Sequence, residues 1–156
     1  MKINKVSLLA IVFLLFGCSS NSASSPSVST NTSHSGDSAQ SSCYQSAITQ
    51  AELNDCAGQK TRATYEKLES LITELQGHMD DSQYTMLLNI EENWEKAIVE
   101  HCKWEANFFA GGSIQPLQFA ECLNQQYLNR IDELRLNLCE GNGMTGECEE
   151  SLNYKE

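Results

Sequence analysis

The chain has 156 residues, of which 21 are acidic and only 10 are basic, and its formal net charge is −11 at pH 7. Such an acidic surface argues against nucleic acid and anionic lipid headgroups as partners, and it favours a cationic protein. An acidic surface is also common in exported proteins that only need to stay soluble, so charge alone does not choose a partner.

The first 17 residues have the pattern of a secretory signal peptide. Lys2 and Lys5 precede an apolar run over residues 6–16, which is too short to span a bilayer as a mature helix. A glycine and Cys18 follow, and this order resembles a bacterial lipoprotein signal, in which the cysteine is lipidated and becomes the new N-terminus. Ser19 stands where an inner-membrane retention signal would have aspartate. The resemblance therefore implies an outer-membrane lipoprotein that faces the periplasm.

Residues 18–42 are predicted to form a lipidated, disordered tether. Residues 19–42 contain 12 serines in 24 positions and almost nothing to bury, so they cannot offset the entropy of ordering. As a flexible coil this segment spans about 25 to 30 Å. Loss of residues 1–17 removes two basic residues and no acidic ones, which leaves a net charge of −13.

The first predicted helix begins at a capping box formed by Thr49 and Glu52. Apolar residues then recur at helical spacing, and they predict a helix over about residues 50–76 that ends at Gly77. The residues on this stripe are Leu53, Ala57, Thr64, Leu68, Leu71, Ile72 and Leu75.

The second predicted helix starts at Asp80, Asp81 and Ser82, which supply cap candidates and favourable negative charge. It runs to Gly111 and Gly112, because glycine enters the left-handed region without steric cost. Its stripe consists of Tyr84, Leu87, Leu88, Trp94, Ile98, Cys102 and Phe109. The acidic residues at positions 91, 92 and 95 are interpreted as a solvated face rather than as a catalytic carboxylate pair, which would need a cleft.

The third predicted helix starts near Pro116 and runs to about residue 139, with Leu117, Phe119, Ala120, Leu123, Tyr127, Ile131, Leu134 and Leu138 on its stripe. Short connections between three helices predict an all-α fold, a small antiparallel bundle of up-down-up topology over residues 43–139. Residues 140–156 are glycine-rich and acidic, and a disulfide-closed loop with a flexible tail is expected there.

Six cysteines remain in the exported domain besides Cys18, and an oxidising compartment favours three disulfides. Cys102 and Cys122 lie at nearly equal depth from the turn at Gly111, about 10 Å and about 9 Å. They are therefore predicted to form a bond between the second and third helices. At the other end of the third helix, only Cys148 follows Cys139, which predicts that pair.

Cys43 and Cys56 remain, and they need little strain to pair, because the segment before Thr49 is free to fold back. An exchange of Cys56 with Cys102 or Cys122 stays open as an alternative, since all three lie near one end of the bundle.

His101 and Glu105 stand one helical turn apart beside Cys102, but the cysteine is better used in a disulfide and no second histidine cluster exists. The sequence therefore predicts no metal site, no cofactor and no enzymatic activity. For partner contacts the candidates are an exposed tryptophan and the reversal between the helices, because surface aromatics are enriched at binding hot spots. The residues concerned are Trp94, Trp104, Gly111, Gly112 and Ser113.

A wider pattern carries a family resemblance. A cysteine is followed by TQAELNDCA, a long helix, Trp94 with Cys102 eight residues later, GGSIQPL, and a cysteine in ECL. Over residues 43–139 this order resembles the LprI-type family of lysozyme inhibitors, small bacterial envelope proteins. Tyr65, Glu69 and Ile98 stand where that family tends to have aspartate, asparagine and arginine.

The resemblance implies an all-helical, disulfide-linked domain, with lysozyme inhibition as the activity of part of the family. Together with the net charge, it predicts an envelope lipoprotein that binds a cationic protein such as lysozyme without covalent chemistry and meets the membrane only through its lipid anchor. The alternative is a structural or accessory outer-membrane lipoprotein that acts through an endogenous envelope partner.

Overall fold

The computed structural model describes residues 42–155 of the chain. The predicted signal peptide, the lipidated Cys18 and nearly all of the predicted tether lie outside the described residues. Within them the chain forms α-helices and short 3-10 turns and has no β-strand, which confirms the predicted all-α class. The α-helices are α1 (residues 42–46), α2 (Gln50–Leu75), α3 (Asp81–Ala106), α4 (Gln115–Arg135) and α5 (Glu149–Leu152).

The ends of the long helices follow local sequence signals. Thr49 and Glu52 form the predicted capping box of α2, and Asp80 forms an equivalent box with Gln83 at α3. The α-helical part is shorter than predicted at each C-terminus, because a 3-10 turn takes over the last residues. These turns are Gln76–His78, Asn107–Phe109 and Leu136–Leu138.

Helix α4 lies between α2 and α3 and packs against both, whereas α2 and α3 approach each other closely at few points. Thr61 and Thr64 of α2 hydrogen-bond Ala120 and Asn124 of α4, so these two helices run parallel. Helix α3 runs the opposite way, because Cys102 is bonded to Cys122 while the earlier Glu91 meets the later Arg130. The predicted up-down-up order is confirmed.

The core lies along α4. Its buried residues are Leu68, Leu71 and Leu75 of α2, Ile98 and Cys102 of α3, Leu123, Tyr127, Ile131 and Leu134 of α4, and Leu138 after it. The predicted stripe of α3 is only partly right, because Leu88 and Phe109 are 44% and 42% exposed. A helix that packs against one neighbour buries a narrower stripe than one held on two sides.

Three disulfides join the described cysteines: the Cys102–Cys122 pair that the depth comparison predicts, the predicted Cys139–Cys148 pair, and Cys43–Cys56 rather than the alternative exchange of Cys56. Cys43 bonds Cys56, Cys102 bonds Cys122 and Cys139 bonds Cys148, with Cα atoms 5.6 to 5.8 Å apart. The first holds the N-terminal segment on α2, the second links α3 to α4, and the third closes the loop after α4.

The loop after residue 139 is closed by the Cys139–Cys148 bond as expected, whereas residues 149–154, expected to form a free tail, pack on the domain. Ser151 of α5 is fully buried, and Tyr154 packs against the core and donates to Glu74 at 2.7 Å. Gly143 has a φ of +73°, and a Cβ there would lie 2.9 Å from the Cβ of Leu136, so only glycine fits. The contacts of Tyr154 and of Glu147 with Arg135 are single contacts that do not recur at helical spacing. The sequence of this segment is therefore typical of a tail.

Arg135 holds this segment to α4. Its side chain is 8% exposed and pairs with Asp132 at 2.7 Å and with Glu147 at 2.6 Å. Hydrogen bonds from Lys155 and from Arg135 lower the pKa of Glu147. The closing segment is therefore attached by a charge pair as well as by the Cys139–Cys148 bond.

Candidate functional site

The two tryptophans on α3 lie in different surroundings. Trp94 is partly buried and packs against the core, whereas Trp104 is 60% exposed near the end of the helix. This difference confirms the expectation that one tryptophan belongs to the interior and the other to the surface. Each of them marks a separate surface of the domain.

Trp94 lies in a cleft between α2 and α3, which exists because these helices meet α4 rather than each other. The cleft has a volume of about 260 Å³. Its aromatic and apolar lining comes from Tyr65, Leu68, Ile72, Tyr84, Leu88 and Trp94. Its acidic lining comes from Glu69, Glu91, Glu92 and Glu95. We call it the acidic cleft.

The rings of the acidic cleft form a connected group with α4. Tyr127 lies 5.2 Å from Tyr65 and 6.1 Å from Trp94 between ring centroids, at tilted angles. Arg130 completes the group, because its guanidinium lies 5.4 Å from the centroid of the Trp94 ring. The walls are thus held by packing on α4 rather than by loops.

The carboxylates of the acidic cleft differ in their partners. Glu91 pairs with Arg130, with side chains 11% and 15% exposed, so it is not part of a solvated face as predicted. Glu92 is exposed and accepts from Lys96 at 2.7 Å, which lowers its pKa. No ion pair within residues 42–155 uses Glu69 or Glu95. The cleft therefore holds two carboxylates without a cation.

Burial and the cleft carboxylates Glu95 and Glu69 together raise the pKa of neighbouring tyrosines. Burial, followed by the negative charges of Glu95 and Glu69, raises the pKa of Tyr65 to about 12. Burial and then Glu95 also raise the pKa of Tyr127. Both tyrosines stay neutral at physiological pH, and the cleft has a negative potential that suits an entering cation.

Two of the three departures from the family pattern lie in this cleft. Tyr65 and Glu69 are both on its α2 wall, and the third, Ile98, is 6% exposed in the core. Sequence reasoning missed the cleft as a site. A tyrosine and a glutamate one turn apart on α2 are a weak signal by themselves, since their link to Trp94 and Glu95 exists only in the folded bundle.

Trp104 belongs to a second surface at the end where α3 turns into α4. Phe108 is 73% and Phe109 42% exposed, and the Trp104 and Phe108 rings meet edge to face at 5.2 Å. His101 lies 5.9 Å from the Trp104 ring. We call Trp104, Phe108 and Phe109, together with the turn that follows them, the aromatic end.

The predicted turn residues lie at this end. Gly111, Gly112 and Ser113 are all exposed, and Gly111 adopts a φ of +78°, which favours glycine. The carbonyl of Ser113 accepts from Asn54 of α2 at 3.0 Å, which ties the turn to the start of that helix. Of the five predicted contact residues, Trp104 and the three turn residues thus share the aromatic end, whereas Trp94 lies in the acidic cleft.

The possible metal ligands do come together at this end. Single atoms of His101, Glu105 and Cys122 lie within 4.8 Å of one another, and His101 Nε2 is 3.4 Å from Glu105. The sulfur of Cys122 is bonded to Cys102, so it is not a thiolate. Two exposed side chains remain, which is fewer than the three protein ligands of an open zinc site.

No helix within residues 42–155 is long and apolar enough to cross a membrane. No curated protein and no solved structure matches the chain. The family model described as "Lysozyme inhibitor LprI" matches residues 41–134, which include the acidic cleft, the aromatic end and two of the three disulfides. The match covers more than half of the chain, and the chain therefore belongs to the LprI family of lysozyme inhibitors.

Proposed function

We propose that this protein is a bacterial envelope lipoprotein whose helical domain binds a cationic protein, with lysozyme as the leading candidate, and that it does so without enzymatic chemistry. One observation carries the proposal. The acidic cleft places Glu69 and Glu95, which form no ion pair within the described residues, beside aromatic walls on a chain whose predicted exported form has a net charge of −13.

Carboxylates beside aromatic rings suit an arginine or lysine side chain. The carboxylates supply charge-assisted hydrogen bonds, and the ring faces attract the cation. The domain itself contains an example, since Arg130 pairs with Glu91 while it lies over Trp94. In the same cleft, Glu95 and Tyr65 offer the same kinds of groups to a cation from outside.

Net charge and local site act at different stages of binding. The overall negative field steers a basic enzyme toward the domain, which raises the association rate and depends on salt. The cleft then holds one basic side chain, which fixes the position of the partner. Inhibition follows because a bound domain covers the enzyme surface, and no bond is made or broken.

The proposed absence of catalysis agrees with the chemistry of the described residues. The six cysteines of residues 42–155 are all in disulfides, so they offer no thiolate nucleophile. Glu91 and Glu92 are engaged by Arg130 and Lys96. The pair with Lys96 lowers the pKa of Glu92, whereas a glycosidase needs one acid with a raised pKa.

The proposal is tested in a cell-wall lysis assay. The mature chain at micromolar concentration and physiological salt is expected to slow lysozyme. The double variant Glu69→Gln/Glu95→Gln should weaken inhibition about tenfold or more, since each tenfold step is about 1.4 kcal/mol.

A matched control is Glu66→Gln/Glu100→Gln, which changes net charge equally on α2 and α3 but uses exposed residues outside the cleft. It should affect inhibition much less than the cleft variant. Equal losses of inhibition in the two double variants would show that the cleft carboxylates act only through the overall charge of the domain. Unchanged lysis with the wild-type protein, together with recovery of a specific envelope protein in a pull-down, would favour the accessory role instead.

We also propose attachment to the outer membrane through a lipid on Cys18, facing the periplasm. The signal pattern before Cys18 and the serine after it support this location, and an envelope-associated or extracellular location is typical of the family. Labelling of cells with an alkyne fatty acid should mark the wild-type protein and not Cys18→Ser. Equal labelling of both would contradict this site.

A further inference from the structure

The aromatic end differs from the rest of the chain in charge. No charged side chain occurs over residues 106–120, although charged residues make up 20% of the whole sequence. Phe108 and Phe109 are exposed in this stretch, and Trp104 lies just before it. Exposed aromatic groups in a charge-free region mark an interaction surface, because they gain free energy when they leave water.

The fold does not need these rings for its core. The buried core residues of α3 are Ile98, Cys102 and Ala106, and the Cys102–Cys122 bond already holds the end of the helix on α4. Trp104 and Phe108 contact each other edge to face while most of their surface stays in water. Their partner therefore lies outside the described domain.

The chain enters the domain at the same end of the bundle. Cys43 is bonded to Cys56, and the Tyr44 hydroxyl donates to Glu121, one residue from Cys122. The connection between Asn54 and Ser113 places the start of α2 beside the turn. Residues 19–41 separate Cys18 from the first described residue, so the proposed anchor is joined to the domain at the end that has the exposed rings.

We infer that the aromatic end contacts the lipid surface to which the chain is attached. The inference rests on the proposed lipid at Cys18. Tryptophan and phenylalanine are well suited to the boundary between headgroups and acyl chains, where an apolar body is buried and the indole N–H stays near water. The lack of charged side chains over residues 106–120 lessens the repulsion that an acidic domain meets at anionic headgroups, and this stretch gives a cationic protein little to recognise.

A tether makes such a weak contact effective. Two or three exposed rings give only modest membrane affinity, but a linker as short as the tether predicted from the sequence would hold them at a millimolar effective concentration at the surface. The acidic cleft extends toward the opposite end, since Thr73 and Tyr84 line it on either side of the connection between α2 and α3. Contact at the aromatic end therefore leaves the cleft accessible.

Fluorescence quenching tests the contact. The six cysteines of the domain are paired, so Cys18 of the mature oxidised chain can be coupled to maleimide phosphatidylethanolamine in vesicles of brominated phosphatidylcholine. This coupling supplies the anchor whether or not cells lipidate the protein. In Trp94→Phe, where Trp104 is the reporter, quenching should be severalfold stronger than in Trp104→Phe. Equal quenching in the two variants would overturn the inference.

Two further variants separate the aromatic end from general exposure of apolar groups. In the Trp94→Phe background, Phe108→Ser/Phe109→Ser should reduce the quenching of Trp104. Met86→Ser/Ile90→Ser removes residues that are 62% and 48% exposed on a distant part of α3, and it should leave the quenching unchanged. Circular dichroism checks that each variant keeps its helices.

Lysozyme binding by the same variants in solution is measured separately. Quenching without lysozyme binding would support the lipid contact and contradict the proposed partner. Loss of lysozyme binding in Phe108→Ser/Phe109→Ser, with no quenching of Trp104 in the parent, would instead make the aromatic end a protein contact and overturn the assignment to lipid.

Discussion

Trp94 and Trp104 are ten residues apart on one helix, yet they belong to surfaces of opposite character. Trp94 is packed on Tyr127 and Arg130 in a cleft with four glutamates, whereas Trp104 lies beside exposed phenylalanines, just before a stretch of 15 residues without charged side chains. Position along α3 decides the difference. At Trp94, α3 forms one wall of the cleft and α2 forms the other. Trp104 lies in the last turn of α3, beyond the cleft.

The two surfaces suit different partners for physical reasons. The acidic cleft offers fixed charge on rigid helices, which gives orientation and specificity to a cationic group. The aromatic end offers exposed rings and a stretch without charged side chains, which suits a lipid boundary. The two proposed contacts are compatible, because they use separate surfaces of the domain.

The largest expected effect is on stability, after removal of the Cys102–Cys122 disulfide that holds the aromatic end. Cys102→Ala/Cys122→Ala removes a bond that spans 20 residues, and it should lower the free energy of unfolding by about 3 kcal/mol. Urea unfolding measures the loss. Trypsin should also cleave after Lys103 faster than after Lys96, because the end of α3 is released first. Equal acceleration at the two lysines would show that the bond stabilises the helix as a whole.

A somewhat smaller effect is expected at the acidic cleft. Arg130→Met leaves Glu91 without its partner and removes the cation over Trp94, which should cost about 2 kcal/mol. The double variant Glu91→Leu/Arg130→Met should recover most of this loss, since two apolar residues replace a largely buried pair. A double variant as unstable as Arg130→Met would mean that the contact with Trp94, not the pair, carries the stability.

Salt should separate the two surfaces in function. An increase from about 50 mM to about 500 mM sodium chloride should weaken lysozyme binding about tenfold, because the charges of the cleft become screened. Quenching of Trp104 by anchored vesicles should not fall, since burial of apolar groups does not need charge. A parallel loss of both signals would contradict the different bases assigned to the two surfaces.

The smallest expected effect concerns the closing segment, which packs beside the cleft end of α2 through Tyr154 and Glu74. The pKa of Glu147 is lowered in the folded state, so its stabilisation is present above the ordinary carboxyl pKa and is lost as pH falls through the folded value. Thermal unfolding of Glu147→Gln should show a small loss near pH 7 that shrinks as the pH falls below the ordinary carboxyl pKa. A constant difference across this range would exclude the charge pair as the cause.

Local sequence signals were sufficient for much of the fold. Thr49 with Glu52 and Asp80 started two helices where predicted, and helical periodicity identified the buried faces of α2 and α4. The disulfide between Cys102 and Cys122 followed from their depth, because helical rise converts residue number into distance. Signals of this kind act within one helix or across one turn.

Tertiary structure decided the rest. The sequence does not show that α4 lies between α2 and α3. The cleft that brings Tyr65 and Glu69 together with Trp94 and Glu95 therefore could not be predicted from it. In the same packing Leu88 is exposed, and Glu91 pairs with the largely buried Arg130. Periodicity reports which side of a helix is apolar, whereas the number of neighbours that cover that side depends on how all the helices pack.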